Sequence, residues 1–549
     1  MKYAGKKNGI KYISNDSPKP QTDKLTAAQV VSRRKERESA KADEQNNMIL
    51  RIIGMLFIMF QAVVTAILIV TLLNLGILPD KYLVVISVIL AVLLGIGIAI
   101  QLIFKKKNAV RNIGMVLSAL VSIILIIGSV YLSKTNTVIE QIADNDKNYS
   151  TYDVVILSAD KASDIQETAD YTFGTCSNFN KDSYPEVISE LNKRLKVTAS
   201  TQDYVSAFAQ VDALYGGEVD AVIYEHSFQD TISEQYTDYE SKIKVIDQIK
   251  IENSASVTAN QVDVLAEPFI VFISGNDQWG EVTMGGRSDV NILVCVNPST
   301  QQILLVTVPR DYYVNFVGLD DPTVMDKLTH AGIYGVDVQI NTLENLFDCD
   351  INYFMQVNFT SIVDIVDAVG GITVNNQYAF ETDYVDGYGF TFPEGEITLT
   401  GEEALWYCRE RHHLEDGDLG RGRHQQEVIE GILNKVTSAS AIMNYDKLLD
   451  AVSNCMITNM PKSQMTEFMK YQLEFNPKWH LFKTQALGDV DYMPSYAAGG
   501  QYLSVVLPYE SSVEYISDLV AKISGSSELM DEEMDFIPEE MLTEASDEG

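Results

Sequence analysis

The sequence predicts a membrane-anchored α/β protein with three N-terminal transmembrane helices, a small α/β accessory module and a larger α/β domain whose central sheet is sandwiched by helices. Three observations carry this. Three uncharged apolar runs crowd into the first 132 residues. Strand-like and helix-like patterns alternate from Thr151 onward. Six of the seven arginines beyond residue 132 fall in three short segments of the second α/β region.

The apolar runs are 52–75, 82–104 and 113–132. Each is near the ~20 residues that a helix needs to cross ~30 Å of hydrocarbon. Buried core helices are usually shorter and amphipathic, so the runs read as spans. The first run is too long for a cleaved signal peptide and lacks a small-residue cleavage site. Charges inside a span mark transport paths, and none lies within these runs, so they read as an anchor.

Orientation follows from the flanks. Residues 1–51 hold twelve Lys/Arg against six acids, and the second connector holds Lys105, Lys106, Lys107 and Arg111. The positive-inside rule places both in the cytoplasm. Three crossings then put residues 133–549 outside the cell membrane. With seventeen basic and seven acidic residues in 1–132 and −35 for the whole chain, the outer part carries about −45. Such a surface argues against nucleic acid, whose phosphates require a basic footprint.

The expected domains are a cytoplasmic basic tail (1–51), the three helices (52–132), a polar stalk (133–150), the accessory module (151–262), the larger domain (264–524) and an acidic, disordered tail (525–549). Strand candidates in the module are 152–157, 219–224 and 243–249, with a helix at 204–215. The larger domain has strands at 264–274, 290–296, 302–307 and 372–374, and 502–508 as a returning strand. Its helices are expected at 335–346, 359–368, 401–405 and 425–438. The five cysteines lie far apart in the outer part, without CxxC or metal spacing, so no obligatory disulfide framework is expected; Cys295 reads as a buried thiol. The module gathers no chemical groups and reads as a spacer, a surface for homo-oligomers or a glycan-binding element.

Arginine is the informative residue. Arg287, Arg310, Arg409, Arg411, Arg421 and Arg423 collect in one domain of an otherwise acidic, lysine-based exterior. A planar guanidinium fork suits bidentate binding of phosphate or carboxylate. The alternative is a structural ion-pair network with Glu410, Glu415 and Asp416. Asp277, Asp289, Asp311 and Asp418 accompany the arginines. Strand-end aspartates beside arginines are what a magnesium–pyrophosphate site needs, although a lone Asp is more often a turn or helix cap.

The order of motifs resembles the LytR-CpsA-Psr family. They are Ser274-Gly275-Asn276-Asp277, Gly286-Arg287-Ser288-Asp289, Thr307-Val308-Pro309-Arg310-Asp311, Val366-Asp367-Ala368-Val369-Gly370-Gly371, Leu399-Thr400-Gly401-Glu402-Glu403-Ala404-Leu405, Arg409-Glu410-Arg411-His412 and Asp418-Leu419-Gly420-Arg421-Gly422-Arg423-His424-Gln425-Gln426. The anchor and accessory module look like the capsule-type branch of that family. The resemblance implies a phosphotransferase. It would move a glycopolymer (capsule, teichoic acid or similar) from a polyprenyl-pyrophosphate carrier to a peptidoglycan hydroxyl. It further implies Mg²⁺, with Mn²⁺ as a substitute, held by Asp277 and Asp289. Arg287, Arg310, Arg409, Arg411 and Arg421 would clamp the pyrophosphate, with Gln425 hydrogen-bonding it, and the prenyl chain would occupy an apolar groove. Asp418 matches a family acid that orients an arginine or acts as base. Asp289, Arg310, Asp277 and Asp418 are thus the catalytic candidates. Ser288 stands where Thr is common, and His424 where relatives carry a charged or polar residue. Lys327 resembles a position near the pocket, or is a solvated lysine.

Two other classes compete. A polyprenyl-pyrophosphate hydrolase would use the same groups with water as acceptor. A non-catalytic envelope sensor or transcription attenuator would only bind lipid phosphate. A zinc site from His412, His413 and His424 has poor spacing.

Overall fold

The computed structural model describes residues 27–103, 108–143, 149–176, 183–252, 258–278, 280, 282, 284–383, 389–414, 416–436, 451, 455–525 and 527–538. Several expectations lie outside them: the first 26 residues, Lys105, Lys106, Lys107, Glu415, the helix end at 437–438 and the tail beyond 538.

Helices α1 (Ala27–Leu75), α2 (Asp80–Ile103) and α3 (Asn108–Ala143) contain the three apolar runs, and all three are long and apolar enough to cross a membrane. The chain divides into two compact units: one of residues up to 68 with 85–127, the other of 69–84 with 128–549. Within the first, small side chains allow close helix contact. A Cβ at Gly97 would meet Ser118 Oγ at 3.3 Å, and Gln101 donates to the Arg111 carbonyl at 3.2 Å.

The second unit starts from helix ends. Residues 133–143 are not a polar stalk: α3 runs unbroken to Ala143. Val138 and Ile142 are buried against Met456 and Met465. Val138 and Ile142, four residues apart, form one apolar stripe on a helical segment whose composition is otherwise polar.

The accessory module comprises β1 (Tyr149–Leu157), β2 (Thr172–Thr175), α4 (Tyr184–Leu195), β3 (Ser200–Asp203), α5 (Ala207–Gly216), β4 (Ala221–Glu225), α6 (Phe228–Gln235), α7 (Tyr239–Lys242) and β5 (Ile243–Glu252). Its sheet order is β3-β2-β4-β1-β5. Ser206 caps α5 by accepting from the Ala209 amide, and Gly217 closes it in the left-handed conformation (φ +71°). The module shares a core with the larger domain. Ile333 of that domain is buried in the same apolar cluster as Val155, Val211, Tyr224 and Phe228.

The larger domain contains β6 (Phe269–Gly275), β7 (Val290–Asn297), β8 (Gln302–Thr307), β9 (Tyr313–Asn315), β10 (Met325–Lys327), α8 (Leu328–Ala331), α9 (Val336–Phe347), β11 (Tyr353–Val357), α10 (Phe359–Ala368), β12 (Ile372–Asn376), β13 (Phe380–Glu381), β14 (Thr391–Phe392), β15 (Gly395–Leu399), α11 (Gly401–Arg409), α12 (Asp418–Val436), β16 (Ile457–Thr458), α13 (Lys462–Phe475), β17 (His480–Gln485), β18 (Gly488–Ser495), β19 (Gln501–Pro508) and α14 (Glu510–Ser524). Six strands form the central sheet in the order β16-β11-β6-β7-β8-β17. Side chains alternate across it. Leu293, Cys295, Leu304 and Val306 face Leu343, Phe347, Ile516 and Leu519 of α9 and α14. Ile292, Val296 and Leu305 face Ile429 of α12 and Phe468 of α13. The result is the expected α-β-α sandwich.

Two expectations fail here. Residues 502–508 do not return to the sheet; β19 pairs with β18 as a separate hairpin, held to the Arg310 loop by the Val506 amide donating to the Asp311 carbonyl at 2.7 Å. Nor is the described start of the acidic tail free. Leu529 is buried and exchanges hydrogen bonds with the Gln302 amide, and Phe536 stacks on Tyr515 at 4.0 Å. Its few apolar residues dock although its charge suggested disorder. All five cysteines are free, and Cys295 is buried as expected.

Candidate functional site: an arginine–carboxylate cluster at the sheet edge

Strand directions bring three motif loops together. The C-terminal ends of β6 and β8 and the N-terminal end of antiparallel β7 share one sheet edge. There Ser274–Asp277, Arg287–Asp289 and Val308–Asp311 follow or precede their strands. The Asp289 amide donates to the Gly275 carbonyl at 2.7 Å, and the Val308 amide to the Asn291 carbonyl at 2.9 Å. Ser288 Oγ lies 2.9 Å from Ser274 Oγ and donates to the Val290 carbonyl at 2.9 Å, so a serine hydroxyl satisfies this buried position. Gly286 takes φ +95°, open to glycine at little cost.

Helix α12 supplies the fourth wall. A Cβ on Gly422 would sit 3.0 Å from Thr307 Cγ2 and 2.8 Å from Gln485 Oε1. Gln426 donates to the carbonyls of Thr484 (2.8 Å) and Leu305 (3.4 Å). The helix N-terminus is thereby pressed onto the ends of β8 and β17, placing Arg421 beside the loops.

The charges are close and sheltered. Arg310 Nη1 lies 2.8 Å from Asp289 Oδ1, with side chains only 14% and 17% exposed. Arg310 Nε is 3.6 Å from Asp311 Oδ2, and Lys327 Nζ is 3.1 Å from Asp311 Oδ1. Lys327 therefore belongs to the cluster and is not a solvated lysine. Arg421 Nη2 lies 2.6 Å from Asp418 Oδ1. Burial pushes the Asp289 carboxyl up, but Arg310, Arg287 and Arg421 outweigh it and hold it below the usual range. Arg421 shows the converse. Burial, aided by Arg310 and Arg411, draws its guanidinium below the ordinary value despite Asp418 and Asp289. Beside one another stand four cations, Arg287, Arg310, Arg421 and Lys327, and three carboxylates, Asp289, Asp311 and Asp418.

The other arginines divide. Arg287 is buried in the Gly286 loop. Arg409, exposed at the end of α11, stacks on the Phe359 ring at 4.4 Å. The Phe359 amide donates to the Gln278 carbonyl at 3.3 Å, tying the ring under Arg409 to the loop after β6. Arg411 follows Glu410, and Gln425 sits one turn beyond Arg421, its Nε2 3.5 Å from the Cys408 carbonyl. Arg423 is apart: it pairs with Asp416 at 2.6 Å and lies over Tyr378. Arg423→Ala should change turnover less than about threefold, since a half-exposed pair is worth roughly 1 kcal/mol or less; steady-state transfer rates check this.

His424 is a core residue. It packs in a three-ring cluster with Tyr407 (3.9 Å) and Phe380 (5.2 Å), and its Nδ1 lies 3.0 Å from the Tyr407 carbonyl. His412 and His413 are exposed, and among the described residues no group of three or more His, Cys, Asp or Glu could hold a metal. Burial brings His424 down to about 4. Its folded pKa is below the unfolded one, so the unfolded chain binds the extra proton and stability falls as pH drops from about 6.5 towards 4. His424→Gln should remove up to about 3 kcal/mol of that pH dependence; denaturant midpoints at pH 7 and pH 5 test it.

Asp277 and Asp289 offer hard carboxylate oxygens on adjoining loops, suited to Mg²⁺ or Mn²⁺ completed by phosphate oxygens. Between those loops, both polar atoms of the Asn276 side chain are buried without a hydrogen-bond partner. Asn276 Nδ2 is 3.7 Å from where a Gly286 Cβ would lie. Phosphate oxygens would accept from Nδ2 and a cation would take Oδ1, so the residues fit the group.

Several residues position the site without carrying its charge. Glu410 Oε1 accepts from the amides of Arg411, His412 and His413 at 2.7–3.0 Å, fixing the turn that carries Arg411. This replaces the imagined ion pair between Glu410 and arginine. Asp326 lies 3.0 Å from His330 Nδ1 and accepts from Ser495 Oγ at 3.0 Å, locking the strand of Lys327 to the β18–β19 hairpin. From the accessory module, Glu225 Oε1 comes within 3.6 Å of a Cβ built on Gly285, and Ser227 Cβ within 3.9 Å of one on Gly286. The module buttresses the arginine loop; burial raises Glu225 to about 7. Only a three-dimensional contact reveals such roles.

Fold and site together define an α/β protein with three helices long and apolar enough to span a membrane, built around a sheltered arginine–carboxylate cluster. Residues 222–494 match the model of the LytR_cpsA_psr family. The match begins inside the accessory module, consistent with the shared core. A polyisoprenyl-teichoic acid–peptidoglycan teichoic acid transferase, TagU, of Bacillus licheniformis is 34% identical over 261 residues, 47% of this chain and 78% of that protein. The TagU of Enterococcus faecalis is 38% identical over 230 residues, covering 41% and 72%. Among solved structures, B. subtilis TagU is 32% identical, with 50% of this chain and all of that one covered and a TM-score of 0.36. One described as TagT bound to LI-WTA is 25% identical, covering 50% and 99%, with a TM-score of 0.38. The chain belongs to the LytR-CpsA-Psr family.

Proposed function

We propose that the protein transfers a phosphate-linked glycopolymer from a polyprenyl-pyrophosphate carrier to a hydroxyl of peptidoglycan. The observation that carries this is the sheltered set Arg287, Arg310, Arg421 and Lys327, one cation more than the carboxylates Asp289, Asp311 and Asp418 beside it. Two phosphates bring the negative charge this set lacks. The names of the relatives support a wall polymer of the teichoic acid class as donor.

On this reading, the chain's groups position and stabilise more than they react. The acceptor hydroxyl forms a bond to the phosphorus bearing the glycan and releases its proton to solvent, and the bond from that phosphorus to the bridging oxygen breaks. Polyprenyl phosphate leaves. Arg310 and Arg421 receive the charge that builds on the phosphoryl and leaving oxygens, Arg287 and Arg409 flank the pyrophosphate, and Gln425 adds a neutral donor. Asp277 and Asp289 would hold Mg²⁺, which when bound neutralises phosphate charge. Asp418 orients Arg421. The N-terminus lies in the cytoplasm and the cluster outside, as the flanking charges favour.

The test incubates the purified full-length protein with lipid-linked glycan, Mg²⁺ and peptidoglycan. Glycan joined to peptidoglycan through a phosphodiester is the expected product. Free phosphorylated glycan with no wall-bound product would overturn transfer in favour of hydrolysis.

A further inference from the structure

We infer that α13 is an interfacial helix whose outer face, at Met469 and Leu473, lies in the headgroup region of the lipid bilayer; this rests on reading α1–α3 as membrane spans.

Helix α13 is pinned to three span ends. Met465 packs with Leu75 and Ile77, which close α1, and with Leu132 and Ile139 of α3. Lys462 Nζ reaches Glu140 and Asn136 of α3, both at 2.7 Å. At its other end Lys470 lies 3.4 Å from Asp80, the first residue of α2, and Lys81 donates to the Glu474 carbonyl at 2.8 Å. From Lys462 to Glu474 the helix covers about 18 Å, so it lies across the span ends rather than pointing away from them.

Helical periodicity then fixes which side chains face the membrane. At about 100° per residue, Lys462, Met465 and Lys470 lie at about 60°, 0° and 140°. On the same scale Met469 and Leu473 fall at about 40° and 80°, inside that arc. Phe468 and Gln464 lie on the opposite side and are accounted for. Phe468 packs edge-on against Phe269, and Gln464 bonds Tyr353. Met469 and Leu473 remain 40% and 51% exposed although they point the same way as the contacts to the span ends.

Their surroundings are those of an interface. Tyr82, in the first turn of α2, is 43% exposed with Lys81 over its ring, and lysines 462 and 470 flank the two apolar side chains. Aromatic and basic residues around an apolar strip are the pattern of a helix lying at the acyl boundary. Bilayer contact there would hold the sheet at a fixed height above the membrane, since Phe468 ties α13 to β6.

The test uses the full chain in phosphatidylglycerol/phosphatidylcholine vesicles, with Cys349→Ala to remove the half-buried thiol. Spin labels are placed at Leu473→Cys and, as a water-exposed control, at Val205→Cys, whose native side chain is 76% exposed. The expected result is a several-fold higher ratio of oxygen to nickel-chelate collisions at 473 than at 205. An equal ratio would place Leu473 in water and overturn the inference. Shielding from both reagents would place it under protein, such as a second copy, and also overturn it. An impermeant maleimide applied to intact cells bearing Val205→Cys reads the outward orientation separately: no labelling would contradict that orientation without touching the lipid contact.

Discussion

Arg310→Ala is expected to lower transfer by about two to three orders of magnitude, the loss typical of removing one preorganised charge-stabilising donor. Two effects add. The leaving phosphate loses a sheltered guanidinium, and Asp289 and Asp311 lose their partner at 2.8 Å and 3.6 Å. Stripping one member from a buried pair costs about 3–5 kcal/mol in stability, so turnover must be normalised to the folded fraction by circular dichroism. Arg310→Lys separates the two. It restores charge near Asp289 without the fork, so stability should largely recover while transfer stays at least about tenfold low. Transfer by Arg310→Ala at near wild-type rate would remove Arg310 from the site.

The second large effect is expected at a residue with no chemistry. Gly332 takes an ordinary helical φ of −66°, so alanine is allowed by its backbone. A Cβ there would nevertheless lie 2.2 Å from the Gly286 carbonyl oxygen and 2.7 Å from Gln339 Nε2. Backbone must move, and the backbone in question carries Arg287. Gly332→Ala should cost about 1–3 kcal/mol by overpacking. It should also slow transfer by about tenfold to a hundredfold, the penalty of displacing a positioned group by roughly 1 Å. Thermal unfolding and steady-state rates measure the two parts. Unchanged rates would mean the loop absorbs the shift without moving Arg287.

Much of the fold was legible because its signals are local. The uncharged runs gave the spans, and short apolar runs gave β7 and β8 almost to the residue, whereas β6 begins five residues later than the run at 264–274. Helix α10 was read at its observed limits, where Asn358 and Ser361 form a capping box. Some family motifs prove structural. Thr400 and Glu403 cap α11, and the Gly401 amide donates to Asp367 at 2.7 Å where a Cβ would strike the Val363 carbonyl. That sequence block caps α11 and fits it against α10.

The arginines were legible as a compositional anomaly, but their division was not. Arg421 and Arg423 are two residues apart on one helix, so they point to different sides; one meets Asp289 and Arg310, the other Asp416 and Tyr378. Glu225, Gly332 and the Asp326–His330–Ser495 lock act across long sequence separations. Residues 133–143 and the start of the acidic tail misled for the opposite reason. Their polar composition hid a few apolar residues, Val138, Ile142 and Leu529, that dock once neighbouring helices supply a surface.

The central claim is that the cluster directs a carrier phosphate onto a hydroxyl other than water. Running the reaction in ¹⁸O-labelled water with lipid-linked glycan and peptidoglycan, then analysing the products by mass spectrometry, tests it directly. Transfer predicts no label in the glycan–peptidoglycan phosphodiester or in the released polyprenyl phosphate. Label accumulating on the glycan's phosphate, with no wall-bound product, would contradict the account.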